Sequence, residues 1–404
     1  MTRPTTAATF SALALGAVLL TGCGGSTDVE IVAGGGGDPQ ATEASQMQID
    51  GLVRDMAVSD GTVYLLADRG EYRYEEVALL VIEDDGSVTE AYVTDPEDAS
   101  PTELRYVAAA NESVYVAGGG VIYRVAENGP EPVYEAPDDE YAPSIRGLAV
   151  SPGGEPIWSE NFWNGGERGG SYLGRIQRLS GESVERVAGV DRTTVAGEEI
   201  RAGEADPPDD VRATDMPLSS AGYHGTLAAD ADGNVYAATD ERSILRFAPD
   251  GGVDLVSGPG ESPIPDKPFD DEGPAAEFGG NWQDSDLLEL TDVTASDGRV
   301  AAVDGSPSNG PKEATDFRWN PTGDIDDSRQ QVLDEIGEAY PVDDGYYPGG
   351  FAVVIDDGTA ATVAGHAVRV ALDGDTLYIA GQTGAYLRDS EILVVAVDLT
   401  ATMS

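Results

Sequence analysis

The chain has 404 residues and a formal net charge of −51, because it contains 74 acidic residues and only 23 lysines and arginines. A surface this acidic repels a phosphate backbone, so we expect no nucleic-acid partner. The 40% of residues that are hydrophobic suffice for a large core, which separates the chain from acidic disordered proteins. The one cysteine, Cys23, leaves no means of forming an intrachain disulfide or a cysteine-rich metal site.

The first 22 residues have the features of a cleaved signal. A short arginine-bearing start precedes an apolar run from Phe10 to Leu20, which is short for a membrane-spanning helix. The following Leu20-Thr-Gly-Cys23 resembles the processing site of bacterial lipoproteins, in which the cysteine becomes the lipidated first residue. The resemblance implies a signal peptide over 1–22, a tether over 23–27, and an anchor on the extracellular face of the cell membrane through lipid on Cys23. The alternative is an ordinary secretory signal that happens to precede a cysteine.

A short unit recurs along the rest of the chain: an apolar strand, a tight acidic or glycine-containing turn, and a second apolar strand that ends in a small residue. Clear copies lie at 54–67, 146–158 and 225–238, and weaker copies begin at Arg105, Thr291 and Val368. One such hairpin cannot bury its apolar faces alone. Six in succession therefore predict a stacked or radial repeat.

A second hairpin follows most copies, as at 174–189 and 243–258, with less regular examples at 78–92 and 351–365. Alternating apolar residues joined by Asp-Gly turns are typical of antiparallel strands, so each unit predicts a four-stranded blade. The sixth copy stops after a third strand at 391–399, and a matching fourth strand lies at 28–34. We therefore predict an all-β fold over 28–404, a six-bladed β-propeller whose N-terminal strand completes the last blade.

The connections between the predicted strands are uneven in length. In a propeller of this kind the innermost strand begins at one face, here called the upper face. The turns after the first and third strands of each blade then lie at the opposite, lower face, and in this sequence they are tight. The long insertions, at 160–174, 190–222, 259–289 and 305–350, all fall on the upper face. Long loops gathered on one face favour a functional surface there.

Aligning the six inner strands on their turns places arginine at the first position in three adjacent blades, as Arg54, Arg105 and Arg146. Arginine favours two-pronged recognition of carboxylate or phosphate, so this row predicts an anion site at the upper mouth of the channel. The alternative is that each arginine pairs with a neighbouring acidic residue, such as Asp55 or Glu103, and ties the blades together.

The upper insertions also contain aromatic residues in polar surroundings, among them Trp163 and Trp319. Together with Trp282 and the tyrosines at 340, 346 and 347, they are candidates for binding a sugar, a peptide or an aromatic ligand. The alternative is that they form the local cores of their own loops.

His224 precedes the inner strand of the fourth blade, and His366 has the same place in the sixth. We include His224 among the candidate ligand-binding residues, with a structural role as the alternative. The segment Asp-Ala-Asp-Gly-Asn at 230–234 contains part of a calcium-loop pattern but lacks the distal glutamate. We interpret it as a hairpin turn.

The strand pair at 227–240, followed by Ser-Ile-Leu-Arg-Phe-Ala-Pro-Asp-Gly-Gly-Val at 243–253, resembles an NHL repeat. Two junctions, Gly-Gly-Gly-Asp-Pro-Gln-Ala-Thr-Glu-Ala at 35–44 and Asp-Asp-Glu-Gly-Pro-Ala-Ala-Glu-Phe at 270–278, are similar to the Gly-Asp-Gly-Gly-Pro-Ala segments of teneurin-type NHL propellers. The resemblance covers about residues 28–399 and implies the propeller fold. It leaves function open, because such propellers serve as extracellular binding domains and as enzymes.

Enzymes on similar propellers provide the catalytic alternative. The peptide-amidating lyases use a three-histidine zinc site, whereas this chain has two histidines. Calcium-dependent lactonases of the gluconolactonase type use acidic and asparagine ligands in the channel, where Asp292 is a candidate. We expect a monomeric binding module that takes a ligand or an envelope protein on its upper face and needs no cofactor. The alternative is a calcium-dependent hydrolase or lyase that acts in the central channel.

Overall fold

The protein is an all-β, six-bladed β-propeller in the computed structural model, as the sequence predicts. The structure describes residues 29–34, 36, 38–69, 76–93, 104–137, 144–164, 171–190, 212–216, 218–219, 227–239, 243–258, 272–274, 290–304, 350–382 and 390–402. The predicted signal peptide over 1–22 and the tether over 23–27, with Cys23, lie outside these residues. His224 and Trp319 lie outside them as well.

The first strand in the chain, β1 (Val29–Ala33), belongs to the last blade. The blades then follow in chain order, each built from the channel outward. Blade 1 contains β2 (Leu52–Ser59), β3 (Thr62–Asp68), β4 (Val77–Ile82) and β5 (Val88–Val93). Blade 2 contains β6 (Leu104–Ala110), β7 (Ser113–Gly118), β8 (Val121–Ala126) and β9 (Gly129–Glu135).

Blade 3 contains β10 (Ser144–Val150), β11 (Pro156–Asn164), β12 (Ser171–Ser180) and β13 (Ser183–Gly189), with β14 (Leu218–Ser219) paired to β12. Blade 4 contains β15 (Leu227–Ala229), β16 (Val235–Ala238), β17 (Ile244–Phe247) and β18 (Val253–Ser257). Blade 5 has β19 (Glu272–Pro274) outside β20 (Leu290–Ser296), β21 (Arg299–Asp304), β22 (Gly350–Asp356) and β23 (Thr359–Ala367). Blade 6 contains β24 (Arg369–Asp373), β25 (Thr376–Gln382) and β26 (Ile392–Asp398).

Blade 6 closes the ring with strands from both ends of the described chain. β1 pairs antiparallel with β26, from Val29 opposite Val397 to Ala33 opposite Val394. This pairing confirms the predicted split blade. β1 covers the outer edge of β26 and joins the first and last described strands of the chain in one sheet.

The tight turns form because their residues tolerate a left-handed backbone. Asp60 and Gly61 have φ values of +52° and +78°, and Asp297 and Gly298 have values of +49° and +84°. Two consecutive positive φ values are those of a type I′ turn, which matches the twist of the strands that it joins. The Asp-Gly pairs in the sequence therefore fix the first hairpins of their blades.

Two blade junctions use the same local device. Short 3₁₀ turns precede blades 1 and 4, over Ala44–Gln46 and Ala213–Asp215. The first residue of each turn is buried and donates its N–H to a glycine carbonyl in the outer hairpin turn of the next blade, at 2.8 Å to Gly86 and at 3.0 Å to Gly251. The first of these junctions includes Ala44, the last residue of the segment at 35–44, and its bond to Gly86 holds one blade against the next.

The hydrophobic core lies between neighbouring blades. One cluster joins Leu65 of blade 1 to Val394 of blade 6, and another joins Ile176 of blade 3 to Val235 of blade 4. A single helical turn, Leu399–Thr402, follows β26. Within the described ranges, no helix is both long and apolar enough to cross a membrane.

Candidate functional site

A cavity of about 280 Å³ lies at the centre of the ring and is lined by the six inner strands β2, β6, β10, β15, β20 and β24. Most of its lining side chains are small and apolar, many of them alanines, so the channel stays open. Acidic residues also line the wall, near the upper end at Asp55 and Asp292 and near the lower turns at Asp60, Asp230 and Asp373.

The three arginines predicted for the upper mouth occupy one common structural position. Each is the extra residue of a β-bulge near the start of its inner strand: Arg54 in blade 1, Arg105 in blade 2 and Arg146 in blade 3. Thr291 has this position in blade 5. A β-bulge turns its extra residue out of the regular strand alternation, so three neighbouring blades re-aim an arginine at the same level.

Arg54 binds groups of the propeller itself. Its Nη2 lies 2.6 Å from Oδ2 of Asp68 at the upper end of β3, and its Nη1 donates to the carbonyl of Leu104 in blade 2 at 3.1 Å. The Arg54 and Asp68 side chains are only 10% and 3% exposed. Arg54 therefore matches the alternative considered for the row, a structural tie between blades.

Arg105 and Arg146 have different surroundings from Arg54. Both are half-buried, and both are close enough to buried Tyr106 to oppose the rise that burial causes in the pKa of its phenol. The position that Asp68 has in blade 1 is occupied by Gly119 in blade 2 and by Asn161 in blade 3. Both arginines have interactions within the protein, and β11 carries the buried carboxylate of Glu160 one residue before Asn161.

The inner strands share a second common position, one residue after the position of the bulge. It is occupied by Asp55 in blade 1, Tyr106 in blade 2, Asp292 in blade 5 and Arg369 in blade 6. Asp55 accepts the N–H of Val107 in blade 2 at 2.7 Å, and Asp292 accepts the N–H of Val370 in blade 6 at 2.8 Å. The Nε of Arg369 is 3.5 Å from Oδ1 of Asp55. These side chains link the inner strands of blades 5, 6, 1 and 2 in series.

Two buried carboxylates influence each other at this level. Burial raises the pKa of Asp55 from 3.8 to about 7, although the charge of Arg369 lowers it, and the charge of Asp292 raises it further. Burial likewise raises the pKa of Asp292 to about 6, against the lowering effect of Arg369 and of the Val370 N–H. Two largely buried carboxylates near one guanidinium ionise less readily than exposed carboxylates do.

Asp292 belongs to a ladder of side chains between blades 5 and 6. Its Oδ1 accepts the N–H of Val293 at 3.0 Å in addition to the bond from blade 6. Thr294 and Ser296, at alternate positions of β20, accept the N–H groups of Leu372 and Gly374 at 3.1 and 3.2 Å. Among the described residues, no three His, Cys, Asp or Glu side chains are grouped where they could hold a metal ion. Through its bond from the Val370 N–H, Asp292 ties blade 5 to blade 6.

Among the residues at the position after the bulge, the sequence pattern identifies Asp292 as a candidate site residue but gives no reason to include Arg369. It names Asp55 only as a possible partner of Arg54, whereas the structure pairs Asp55 with Val107 and Arg369. Extending the alignment of inner strands by one residue past the bulge brings Asp55, Asp292 and Arg369 into one row. That alignment is the signal that identifies them.

A buried glutamate that the sequence pattern does not single out organises the upper part of blade 3. Glu160 is fully buried, and its Oε1 accepts Tyr134 Oη and Trp158 Nε1, each at 2.7 Å. Its Oε2 pairs with Arg175 at 2.8 Å. Burial raises the pKa of the Tyr134 phenol, and the charge of Glu160 adds to the rise. Because Tyr134 lies in β9, this cluster joins blade 2 to the β11–β12 hairpin.

Of the aromatic and histidine candidates, the structure describes only the backbone of Trp163. Trp163 lies in β11, with its backbone opposite Tyr172 of β12, in a hairpin whose strands have nine and ten residues. Its side chain, like Trp319 and His224, lies outside the described residues. The structure therefore shows that the β11–β12 hairpin carries Trp163, and the contacts of these side chains remain predictions.

The acidic segment at 230–234 forms a turn around its own first residue. Asp230 accepts the N–H groups of Asp232 and Asn234 at 3.0 and 2.9 Å, the Asn234 amide at 2.8 Å and the Tyr236 hydroxyl at 2.8 Å. Burial and the carboxylate of Asp230 raise the pKa of Tyr236 to about 12. The hairpin-turn interpretation is confirmed by these bonds.

Comparison with known proteins gives similarity of fold alone. No family model and no curated protein matches the chain. A puromycin hydrolase structure is 12% identical with a TM-score of 0.41, and the match covers 87% of this chain and 52% of that one, so this chain spans about half its length. BamB from Moraxella catarrhalis is 12% identical, with a TM-score of 0.35 and coverage of 88% and 86%. A putative oxidoreductase (glucose dehydrogenase) from Thermus thermophilus is 12% identical, with a TM-score of 0.36 and coverage of 91% and 99%.

Proposed function

We propose that this chain is a binding module displayed outside the cell. It is an NHL-like propeller, anchored through lipid on Cys23, that binds an anionic ligand or an envelope protein on its upper face. The row of β-bulges carries the proposal. Arg105 and Arg146 occupy the same bulge position in two neighbouring blades, and both lie near buried Tyr106. An anionic ligand would complement these two positive charges.

The path of the N-terminus supports access from outside. β1 begins at the lower end of blade 6, because Val29 pairs with Val397 near the end of β26. Roughly five residues separate Cys23 from Val29, and this length spans at most ~18 Å when extended. A lipid on Cys23 would therefore hold the lower face near the membrane and direct the upper face away from it.

A binding role fits the described residues better than a calcium-dependent hydrolase or lyase in the channel. Both oxygens of Asp292 already accept backbone N–H groups. On the upper face, the long β11–β12 hairpin carries Trp163 in the same blade as Arg146. In this proposal Trp163 and Trp319 add apolar contact to a site whose charge comes from the arginines.

Titration of the purified protein with phosphate, citrate and poly-glutamate tests the proposal. We expect salt-sensitive binding of at least one of these anions and a loss of at least tenfold in the Arg105→Ala/Arg146→Ala variant, since each charge-assisted contact contributes about 1.5–3 kcal/mol. Arg178→Ala, at an exposed ion pair with Glu185, is the matched control for a lost charge. Binding of all three probes unchanged in the double variant would contradict the proposal. In cells, Cys23→Ser should move the protein out of the membrane fraction.

A further inference from the structure

The inner strands present one backbone edge to the central cavity. In an antiparallel pair, alternate residues exchange hydrogen bonds with the partner strand, and the residues between them direct N–H and C=O the other way. The N–H of Ser151 donates to the carbonyl of Glu155 at 2.8 Å, and that of Asp230 donates to the carbonyl of Asn234 at 3.1 Å, which fixes the alternation in blades 3 and 4. The channel-facing backbone groups are therefore those of Leu148 and Val150 in β10 and of Leu227 and Ala229 in β15, which all line the cavity.

Side chains of the preceding blade cap the same edge elsewhere in the ring. In blade 6, the N–H of Val370 donates to Asp292 of blade 5 at 2.8 Å, and the N–H of Leu372 donates to Thr294 at 3.1 Å. Blade 2 has one such cap, on Val107. An N–H that already donates to a side chain is not available to pair with another strand.

The capping side chains are absent where β10 and β15 face the cavity. Thr294 is the third residue after the bulge in blade 5, and the residues at this position are Ala108 in blade 2 and Ala149 in blade 3. Ala108 packs toward blade 3 and Ala149 toward blade 4. Because an alanine methyl group cannot accept a hydrogen bond, the N–H groups of Val150 and Ala229 lack the cap that Thr294 supplies in blade 6.

The wall of the cavity contains acidic side chains at both ends. Asp55 and Asp292 lie near its upper end, and Asp60, Asp230 and Asp373 lie near the lower turns. Among the described lining residues there is no lysine, arginine or histidine. A ligand that enters this cavity is therefore favoured by a positive charge.

The spacing of the open backbone groups matches that of another β-strand. Leu148 and Val150 are two residues apart, so their N–H and C=O groups repeat at roughly 6.6 Å along β10. An extended peptide repeats its own donors and acceptors at the same distance. The wall that β2 contributes runs from Asp55 to Asp60, which corresponds to roughly 17 Å or about five extended residues. The cavity volume of about 280 Å³ leaves room beside such a main chain for small side chains.

We propose that the central channel binds an extended, positively charged peptide with small side chains by β-strand addition to the open edge of β10. The main chain of the peptide exchanges hydrogen bonds with Leu148 and Val150, and the adjacent edge of β15 offers the same groups at Leu227 and Ala229. The acidic wall favours its ammonium group. This channel site goes beyond the proposed function and contains none of the bulge arginines, so either proposal can fail without the other.

Calorimetric titration with three short peptides tests the two parts of the recognition. We expect the wild-type protein to bind tetra-alanine amide, which has a free ammonium group, at least tenfold more tightly than the analogue methylated on every peptide nitrogen. It should also exceed acetyl-tetra-alanine, whose only charge is a carboxylate, by at least tenfold.

A double variant closes the open edges with the device found in blade 5. Ala108→Ser/Ala149→Ser places a hydroxyl acceptor beside β10 and β15, as Thr294 does beside β24, and should weaken tetra-alanine amide at least tenfold. Ala371→Ser, at the same position of blade 6, is the matched control and should bind as the wild type does. Melting temperatures close to that of the wild type check that both variants are folded.

Equal wild-type affinity for tetra-alanine amide and its methylated analogue would overturn the proposal, because the main chain would then not be recognised. Undetectable binding of tetra-alanine amide at millimolar concentration, or tighter binding of acetyl-tetra-alanine, would overturn it as well. Wild-type affinity in a folded Ala108→Ser/Ala149→Ser variant would exclude the edges of β10 and β15 as the site. If that variant does not fold, the comparison of the three peptides on the wild-type protein decides.

Discussion

The seam formed by blades 5, 6 and 1 and the upper end of blade 3 use similar polar residues in opposite ways. In the seam, Asp292, Asp55 and Arg369 all contact a neighbouring blade. In blade 3, Ser159 and Asn161 are as deeply buried, yet each has a side-chain oxygen without a partner among the described residues. The comparison teaches that the register of a strand decides where a polar side chain lies, and the residues that face it decide whether it ties two blades together.

The largest effect should come from removing β1, the strand that completes blade 6. A chain that begins at residue 35 lacks β1, so it loses the ladder to β26 and exposes the edge of that strand. At about 0.5–1.5 kcal/mol for each hydrogen bond, we expect a loss of several kcal/mol in the free energy of unfolding, or aggregation. Urea denaturation measures it, with a chain that begins at residue 28 as the control. Equal unfolding midpoints for the two chains would mean that β1 does not close the ring.

A second prediction concerns Glu160, a polar residue of blade 3 for which we expect a purely structural role. Glu160→Gln leaves Arg175 beside a neutral amide and disturbs the bonds from Tyr134 and Trp158. Because breaking a buried ion pair strands a charge, we expect a loss of about 3 kcal/mol by urea denaturation. Glu185→Gln removes the exposed pair with Arg178 and should cost less than about 1 kcal/mol. Similar losses for the two variants would contradict the structural role of Glu160.

A smaller effect should appear in the pH dependence of the seam. The pKa of Asp55 is raised from 3.8 to about 7 in the folded ring, so the folded state holds this proton more tightly than the unfolded chain does. The stability that the group contributes is present below about pH 4 and is lost as the pH rises through 7. Asn at this position keeps an acceptor for Val107 and cannot ionise.

The measurement is the difference in unfolding free energy between the wild type and Asp55→Asn at pH 5 and at pH 8. We expect the variant to gain roughly 2 kcal/mol relative to the wild type over this interval. Asp60→Asn, in the exposed turn of the same strand, is the control for loss of a carboxylate. A constant difference between wild type and Asp55→Asn would show that Asp55 does not titrate in this interval.

The fold follows from the sequence because its determinants are local. Asp60-Gly61 and Asp297-Gly298 specify their turns by backbone preference alone, and alternation of apolar residues sets which strand faces are buried. The closure by β1 follows from counting strands. The ties of the seam could not be predicted in the same way, since Asp55 and Val107 are 52 residues apart in the chain and meet only when two blades pack.

The sequence predicts the positions of the three bulge arginines but not the role of each one. Aligning the turns places Arg54, Arg105 and Arg146 at one level, which the bulges reproduce. The role of each arginine depends on the side chains around its bulge, and for Arg54 these include Asp68, which pairs with Leu52 two residues before the bulge. That neighbour is identified only when the bulge is known, because one extra residue shifts the pairing and changes which side chains share a face.

Hydrogen–deuterium exchange of the full chain with and without the tightest-binding of the three anions, phosphate, citrate or poly-glutamate, compares blade 1 with blades 2 and 3 in one measurement. The account predicts slower exchange in peptides from β6 and β10, which contain Arg105 and Arg146, and unchanged exchange in peptides from β2 and β3, where Arg54 already pairs with Asp68. Protection in β2 and β3 instead, or no protection in any of these strands at a saturating concentration of the anion, would contradict an anion site at Arg105 and Arg146.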